Sequence, residues 1–166
     1  MTSSRRTAAA AVVEALTSRS ETVAVAESLT GGALTAAIVD VPGASVVLRG
    51  GVVAYATDLK HALLGVDADL LARVGAVHPE VAVQMADGVR ARLGAHWGLG
   101  TTGVAGPDPQ DGQPPGTVHV ALAGPAGARV ETLRLTGDRA EVRMATVISA
   151  LTLLGRALDA RVQPRA

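Results

Sequence analysis

Covalent chemistry has few places to start in this sequence. Cysteine is absent, which removes thiolate nucleophiles, disulfides and zinc–thiolate sites together and leaves hydroxyls as the covalent nucleophiles. Ser28 is the hydroxyl in the most suggestive position. It stands where the β-like run Thr22–Ala26 breaks at Glu27-Ser28-Leu29-Thr30-Gly31-Gly32, ahead of a helical Ala/Ile/Val stretch. At such a strand–turn–helix junction a hydroxyl can rise above a sheet with backbone N–H groups beside it. The same position also suits a helix N-cap, the commoner use of a serine before a helix.

Lys60 is the only lysine; every other Lys/Arg position holds arginine. Arginine keeps its proton at accessible pH, whereas a lysine amine becomes a base when burial or nearby positive potential lowers its pKa. In a helix capped by Thr57-Asp58 and running through Leu64 to Gly65, Lys60 falls in the first turn. There the helix dipole disfavours the ammonium form while Asp58 favours it. A solvated surface lysine is the alternative reading. Tyr55, the only tyrosine, either fills the core or lines a site five residues before Lys60.

Arg139 and Arg143 share a face near the start of the final expected helix, a poor place for cations unless an anion binds there. Arg143 lies at the edge of the apolar stripe Val147, Leu151 and Leu154, and is expected to point inward. A phosphate monoester would satisfy both guanidinium groups; local pairing with Asp138 or Glu141 is the alternative. Thr102-Gly103-Val104-Ala105-Gly106-Pro107 could bring backbone amides to a ligand, but it lacks the lysine and spacing of a nucleoside-triphosphate loop. The polar, proline-rich stretch Asp108–Pro115 that follows reads as a functional rim. His61, His78, His96 and His119 are scattered, with none at i, i+4 from another, so neither a metal site nor a cofactor is expected.

These groups need a scaffold, and 166 residues suffice for one domain, taken as 1–166 with a frayed tail at 161–166. An opening helix buries Val12, Val13 and Leu16. Arg5-Arg6 before an alanine run is reminiscent of a twin-arginine export signal, but Glu14 and the shortness of the apolar stretch Ala8–Val13 favour the helix. Val46–Ala56 reads as a strand bent at Gly50-Gly51. A helix runs from about Asp67 to Gly75, and another from Pro79 to Leu93 buries Val81, Met85 and Val89 and stops at Gly94. Trp97–Thr102 is the next strand. Thr117–Ala123 and Ala128–Leu135 pair as a hairpin across Gly124-Pro125-Ala126-Gly127. Asp138 and Glu141 have capping-box spacing for a last helix whose Val147, Leu151, Leu154 and Leu158 share one face.

Helices alternating with strands, plus one hairpin, give an α/β fold: a mixed sheet covered by helices, with strand order left open. The loops holding Ser28, leading to Lys60 and holding Thr102 and Gly106 all follow strands, where ligands of open α/β sheets bind. Apolar residues make up 48% of the chain, with no Phe and a single Trp, so Ala, Val, Leu and Ile must build the core. Formal charge is zero and no basic block or aromatic platform occurs, which argues against a nucleic-acid partner. No segment is long enough to span a bilayer, which argues against a membrane partner. A reducing, cytoplasmic setting is expected, and homo-oligomer formation is compatible with the sequence.

Ala26-Glu27-Ser28-Leu29-Thr30-Gly31-Gly32 resembles the opening signature of the CinA C-terminal family. Val41-Pro42-Gly43-Ala44-Ser45, Gly50-Gly51-Val52-Val53-Ala54-Tyr55, Lys60, Leu64-Gly65-Val66, Gly75-Ala76-Val77, Thr102-Gly103-Val104-Ala105-Gly106-Pro107 and Pro115-Gly116-Thr117-Val118 follow in family order. The resemblance implies a three-layer α/β/α sandwich and hydrolysis of nicotinamide mononucleotide to nicotinic acid mononucleotide and ammonia, a step in pyridine-nucleotide recycling. On that reading Ser28 is the nucleophile and Lys60 its base. Amides near Gly31-Gly32 or Thr102-Gly103 hold the oxyanion, Arg139 or Arg143 binds the 5′-phosphate, and Thr30, Tyr55 and Gly106 are further substrate contacts. The chain departs from many relatives at Asp108-Pro109-Gln110-Asp111-Gly112, where they carry glycines. Two other readings stand beside this one: a non-catalytic nucleotide-binding or regulatory protein, and an amidase for a different phosphorylated amide.

Overall fold

Strand β1 (Val23–Glu27) has no exposed residue, as expected of a strand covered on both faces, and the size of its side chains alternates. Val23 and Val25 belong to one apolar cluster, Ala24 and Ala26 to another. The same division runs across the sheet and sets how closely each helical layer approaches.

The computed structural model describes residues 2–160; the expected frayed tail, 161–166, lies outside them. Its further elements are α1 (Thr2–Arg19), α2 (Ala33–Val39), a short 3₁₀ turn (Ala44–Val46), β2 (Leu48–Val53), α3 (Thr57–Leu64), α4 (Ala68–Val74), α5 (Pro79–Leu93), β3 (Trp97–Gly103), β4 (Thr117–Gly124), β5 (Gly127–Arg134) and α6 (Arg139–Asp159). The sheet order is β2-β1-β3-β4-β5. β1 is parallel to both neighbours, and β4 is antiparallel to β3 and to β5. Helices α1, α2 and α6 pack together on one face; α5, carrying α3, covers the other. The result is the expected three-layer α/β/α sandwich around a mixed sheet.

On the α1/α2/α6 side, Leu99, Val118, Val120 and Leu122 of the sheet meet Leu16, Leu34, Ile38, Leu151, Leu154 and Leu158. On the α5 side the strands present Ala24, Ala26, Ala121 and Ala123. A Cβ built on Gly98 would collide with the carbonyl oxygen of Ala86, and one on Gly100 with that of Ala82. The backbone of α5 therefore lies directly on β3. Its buried face contains Val81, Met85 and Val89, the three residues expected from their spacing.

Several local expectations hold in detail. Asp138 and Glu141 form both halves of a capping box on α6, Pro79 sits in the first turn of α5, and Gly94 ends that helix in the left-handed conformation at φ 60°. Two do not. The strand expected over Val46–Ala56 contracts to Leu48–Val53 because Ala44–Val46 closes a 3₁₀ turn. Thr57-Asp58 does not cap α3: the cap position is Ala56, with no side-chain bond. Among the described residues no helix is long and apolar enough to cross a membrane.

The connections place a crevice at the end of β1. From β1 the chain passes through α2 to β2 on one side. From β2 it passes through α3, α4 and α5, on the opposite face, to β3 on the other side. Beyond the carboxyl end of β1 the two crossovers diverge, the point at which open α/β sheets bind ligands.

Candidate active site

Ser28 is the first residue beyond β1, and its N–H donates to the carbonyl of Thr101 at 3.0 Å, extending the ladder with β3 by one rung. It does not cap α2. Glu27 does so from the last position of the strand: its Oε2 accepts from the N–H groups of Gly32 and Leu34 at 3.0 Å each. Its Oε1 accepts from the Thr35 N–H at 2.8 Å and the Thr35 hydroxyl at 2.6 Å. A fully buried carboxylate thus satisfies the helix start, and the serine hydroxyl is released for other use. Glu27→Ala should strip all four bonds and lower stability by about 3 kcal/mol, since a single bond to a charged group contributes about 1.5–3 kcal/mol. Chemical-denaturation midpoints of the two proteins would measure the loss.

The released hydroxyl faces Lys60. Lys60 is completely buried, and its Nζ lies 3.0 Å from Ser28 Oγ, 2.8 Å from the Ala54 carbonyl and 3.2 Å from the Tyr55 carbonyl. As an ammonium it donates to all three. As a neutral amine it has two hydrogens, which the two carbonyls hold, so its lone pair is directed at the serine hydroxyl. Burial lowers the Lys60 pKa to about 8, against the opposing pull of Asp111 and Asp58. Of the two causes expected from sequence, burial and nearby positive potential, burial is the one that lowers the pKa.

Asp111 also has a structural task. Its Oδ2 accepts from the N–H groups of Ala76 (2.7 Å) and Val77 (3.2 Å), pinning the 108–113 segment to the turn before α5. The Ala76 carbonyl in turn accepts from the buried Thr102 hydroxyl at 2.7 Å. Asp111→Asn keeps an acceptor for the amides but removes the negative charge that favours the Lys60 ammonium. The acid limb of any Lys60-dependent activity should therefore move to lower pH, and a pH–rate profile of the variant beside the parent would test this.

Above the pair opens a cleft of about 520 Å³, counted with the solvent at its mouth. Of the residues singled out from sequence, Ser28, Tyr55, Thr102, Gly103, Gly106 and Arg139 line it. Tyr55 is exposed rather than in the core, and its hydroxyl accepts from Arg139, which also donates to the Gly106 carbonyl, both at 2.9 Å. Lys60 lies beneath Ser28.

Thr30, Gly31, Gly32 and Arg143 are not on the cavity wall. The buried Thr30 hydroxyl pairs with that of Thr101 at 2.8 Å. Of the amides expected to hold an oxyanion, those of Gly31 and Gly32 are otherwise committed: Gly31 N–H donates to Ser28 O and Gly32 N–H to Glu27. Among the described residues, those of Leu29 and Thr30 have no assigned acceptor. Arg143 points inward as expected, but its partners are the carbonyls of Leu29 (2.9 Å) and Thr30 (2.8 Å). It braces the turn that carries the serine, while Arg139 alone of the two faces the cavity.

The rim expected over Asp108–Pro115 contributes Asp108 and Gln110 to the cavity wall, and the 102–107 turn adds Val104 and Ala105. Nothing in the sequence marks Leu29, Ala76 and Val77 as cavity residues or Glu27 as the cap. His61 bonds to the Val66 carbonyl, His78 accepts from the Glu80 N–H, His96 pairs with Thr22 and His119 with Thr132, and among the described residues no group of three or more His, Asp or Glu could hold a metal.

Comparisons with known proteins agree with this fold. The model of the CinA C-terminal domain matches residues 5–158. A CinA-like protein of Frankia casuarinae is 55% identical over 147 residues, covering 89% of this chain and 34% of that protein. A putative competence-damage inducible protein of Desulforamulus reducens is 48% identical, covering 80% and 32%. The chain therefore spans about a third of the length of these curated relatives. Among solved structures, a competence damage-inducible protein A of Klebsiella pneumoniae superposes with a TM-score of 0.91 at 32% identity, covering 96% of this chain and 99% of that one. A competence/damage inducible protein of Agrobacterium tumefaciens gives 0.89 at 34% identity, covering 94% and 96%.

Proposed function

This chain belongs to the CinA C-terminal domain family, and from that premise we propose that it is an amidohydrolase that converts nicotinamide mononucleotide to nicotinic acid mononucleotide and ammonia. The single observation that carries the proposal is the buried contact of Lys60 Nζ with Ser28 Oγ at 3.0 Å, on the floor of a cavity whose rim holds an arginine.

In this mechanism neutral Lys60 takes the proton of Ser28 as Oγ attacks the carboxamide carbon. The carbonyl oxygen becomes an oxyanion, for which the uncommitted N–H of Leu29, on the cavity wall, is a donor in place of those of Gly31 and Gly32. The C–N bond breaks, the leaving nitrogen takes the proton from Lys60, and ammonia departs. Water then attacks the acyl-serine, giving its proton to Lys60, and the ester bond breaks as Lys60 returns that proton to Oγ, which releases the acid and restores Ser28 and neutral Lys60. Arg139 binds the 5′-phosphate, with Tyr55 holding the guanidinium at the cavity edge. Arg143 keeps the serine turn in place. The scheme uses no cofactor and suits a cytoplasmic enzyme of nucleotide recycling.

Incubating the protein with nicotinamide mononucleotide and following ammonia tests the proposal directly. Stoichiometric conversion to the acid is the expected result. Binding without ammonia release would overturn it in favour of a non-catalytic nucleotide-binding role, and turnover of only another phosphorylated amide would reassign the substrate.

A further inference from the structure

The cavity contains one carboxylate and one guanidinium that do not neutralise each other. Asp108 and Arg139 both line it, and both are exposed. The Asp108 carboxylate has no hydrogen bond or ion pair among the described residues, and Arg139 bonds only to neutral oxygens, those of Tyr55 and Gly106. The nearby Asp111 contrasts with this, because its carboxylate is occupied by two backbone amides. An accessible acid and an accessible base held apart over the same nucleophile match a ligand that carries a cation and an anion on one skeleton.

We infer that Asp108 is a specificity-determining residue that recognises the positive charge of an N-glycosylated pyridinium ring while Arg139 takes the phosphate at the other end. This rests on the amidase reading for the identity of the ligand and adds a choice within it. A quaternised pyridinium carboxamide is permanently cationic, whereas the reduced dihydropyridine has the same ribose, phosphate and amide and a neutral ring. Arg139 contributes equally to both forms, so Asp108 selects the oxidised one. The charge lies on the rim segment and not on the serine–lysine pair, so the selectivity is separable from the chemistry.

Calorimetric titration of the full chain carrying Ser28→Ala, which cannot form the acyl-enzyme, measures binding apart from turnover. Oxidised nicotinamide mononucleotide should bind about tenfold more tightly than its reduced form, the scale of one exposed charge pair in a partly screened cleft. In Ser28→Ala with Asp108→Asn the ratio should fall towards one through weaker binding of the oxidised form alone, and added salt should also lower the ratio in the single variant while weakening both forms through Arg139. A ratio near one in Ser28→Ala, an unchanged ratio in the double variant, or no binding of either nucleotide would overturn the inference. The amidase reading stands or falls separately, on ammonia release by the protein with Ser28 intact.

Discussion

Ser28→Ala should reduce ammonia release from nicotinamide mononucleotide by on the order of 10⁴-fold or more in kcat, the scale seen when a nucleophile is deleted from a hydrolytic site that keeps its remaining groups. The fold should survive, because the backbone N–H of Ser28 keeps its bond to Thr101 and the capping of α2 is performed by Glu27. Had Ser28 been the N-cap, the same substitution would have cost about 1 kcal/mol of stability. The expected pattern is therefore an inactive protein with a nearly unchanged melting temperature and unimpaired nucleotide binding. Ammonia release at the parental rate would remove Ser28 from the mechanism.

Lys60→Arg and Lys60→Met should be comparably inactive, for different reasons. Arginine keeps the charge but has no accessible neutral form, and its guanidinium must fit where Nζ touches Ser28 Oγ and two carbonyls in full burial. Methionine fills the space without a base. In the parent, kcat/KM should fall about tenfold per pH unit below about 8, the lowered pKa of Lys60, and level off above it.

The same shift links stability to pH. Folding lowers the Lys60 pKa from 10.5 to about 8, so between those values the unfolded chain binds more protons than the native one. Stability must therefore rise with pH across this window. Lys60 costs roughly 3 kcal/mol below about pH 8, and the cost is relieved as pH approaches 10.5. Thermal unfolding of the parent and of Lys60→Met from pH 7 to 10.5 would expose the contribution as a rise present in the first and absent from the second. Parental activity in Lys60→Arg would overturn the assignment of Lys60 as the base.

Much of the architecture was legible one segment at a time. The capping box of α6, the Pro79 start and Gly94 stop of α5, and the hairpin of β4 and β5 each depend on residues only a few positions apart, so the local chain encodes them. The start of β2 was misread because Val46 and Val47 have a strand-like composition, while Ala44–Val46 turns through hydrogen bonds from the Gly43-Ala44 corner. Gly98 and Gly100 look like weak points in a strand until α5 is found lying on them. Which backbone approaches a glycine is a property of the packed molecule.

The site divides along the same line. Sequence alone determined the inventory: a chain without thiols, one lysine where arginine is otherwise used, a serine at a strand–helix junction, and a family signature that joins them. Tertiary structure decided what each group is for. It gave the capping of α2 to Glu27, joined Lys60 to Ser28 across 32 positions, put Arg143 behind the serine turn and Arg139 in front of it, and left Asp108 without a partner among the described residues. Residue type limits which bonds a side chain can make, but the bond it does make depends on which donors and acceptors folding brings into hydrogen-bonding range. For an amine as deeply buried as that of Lys60, its protonation depends also on how much water folding takes away.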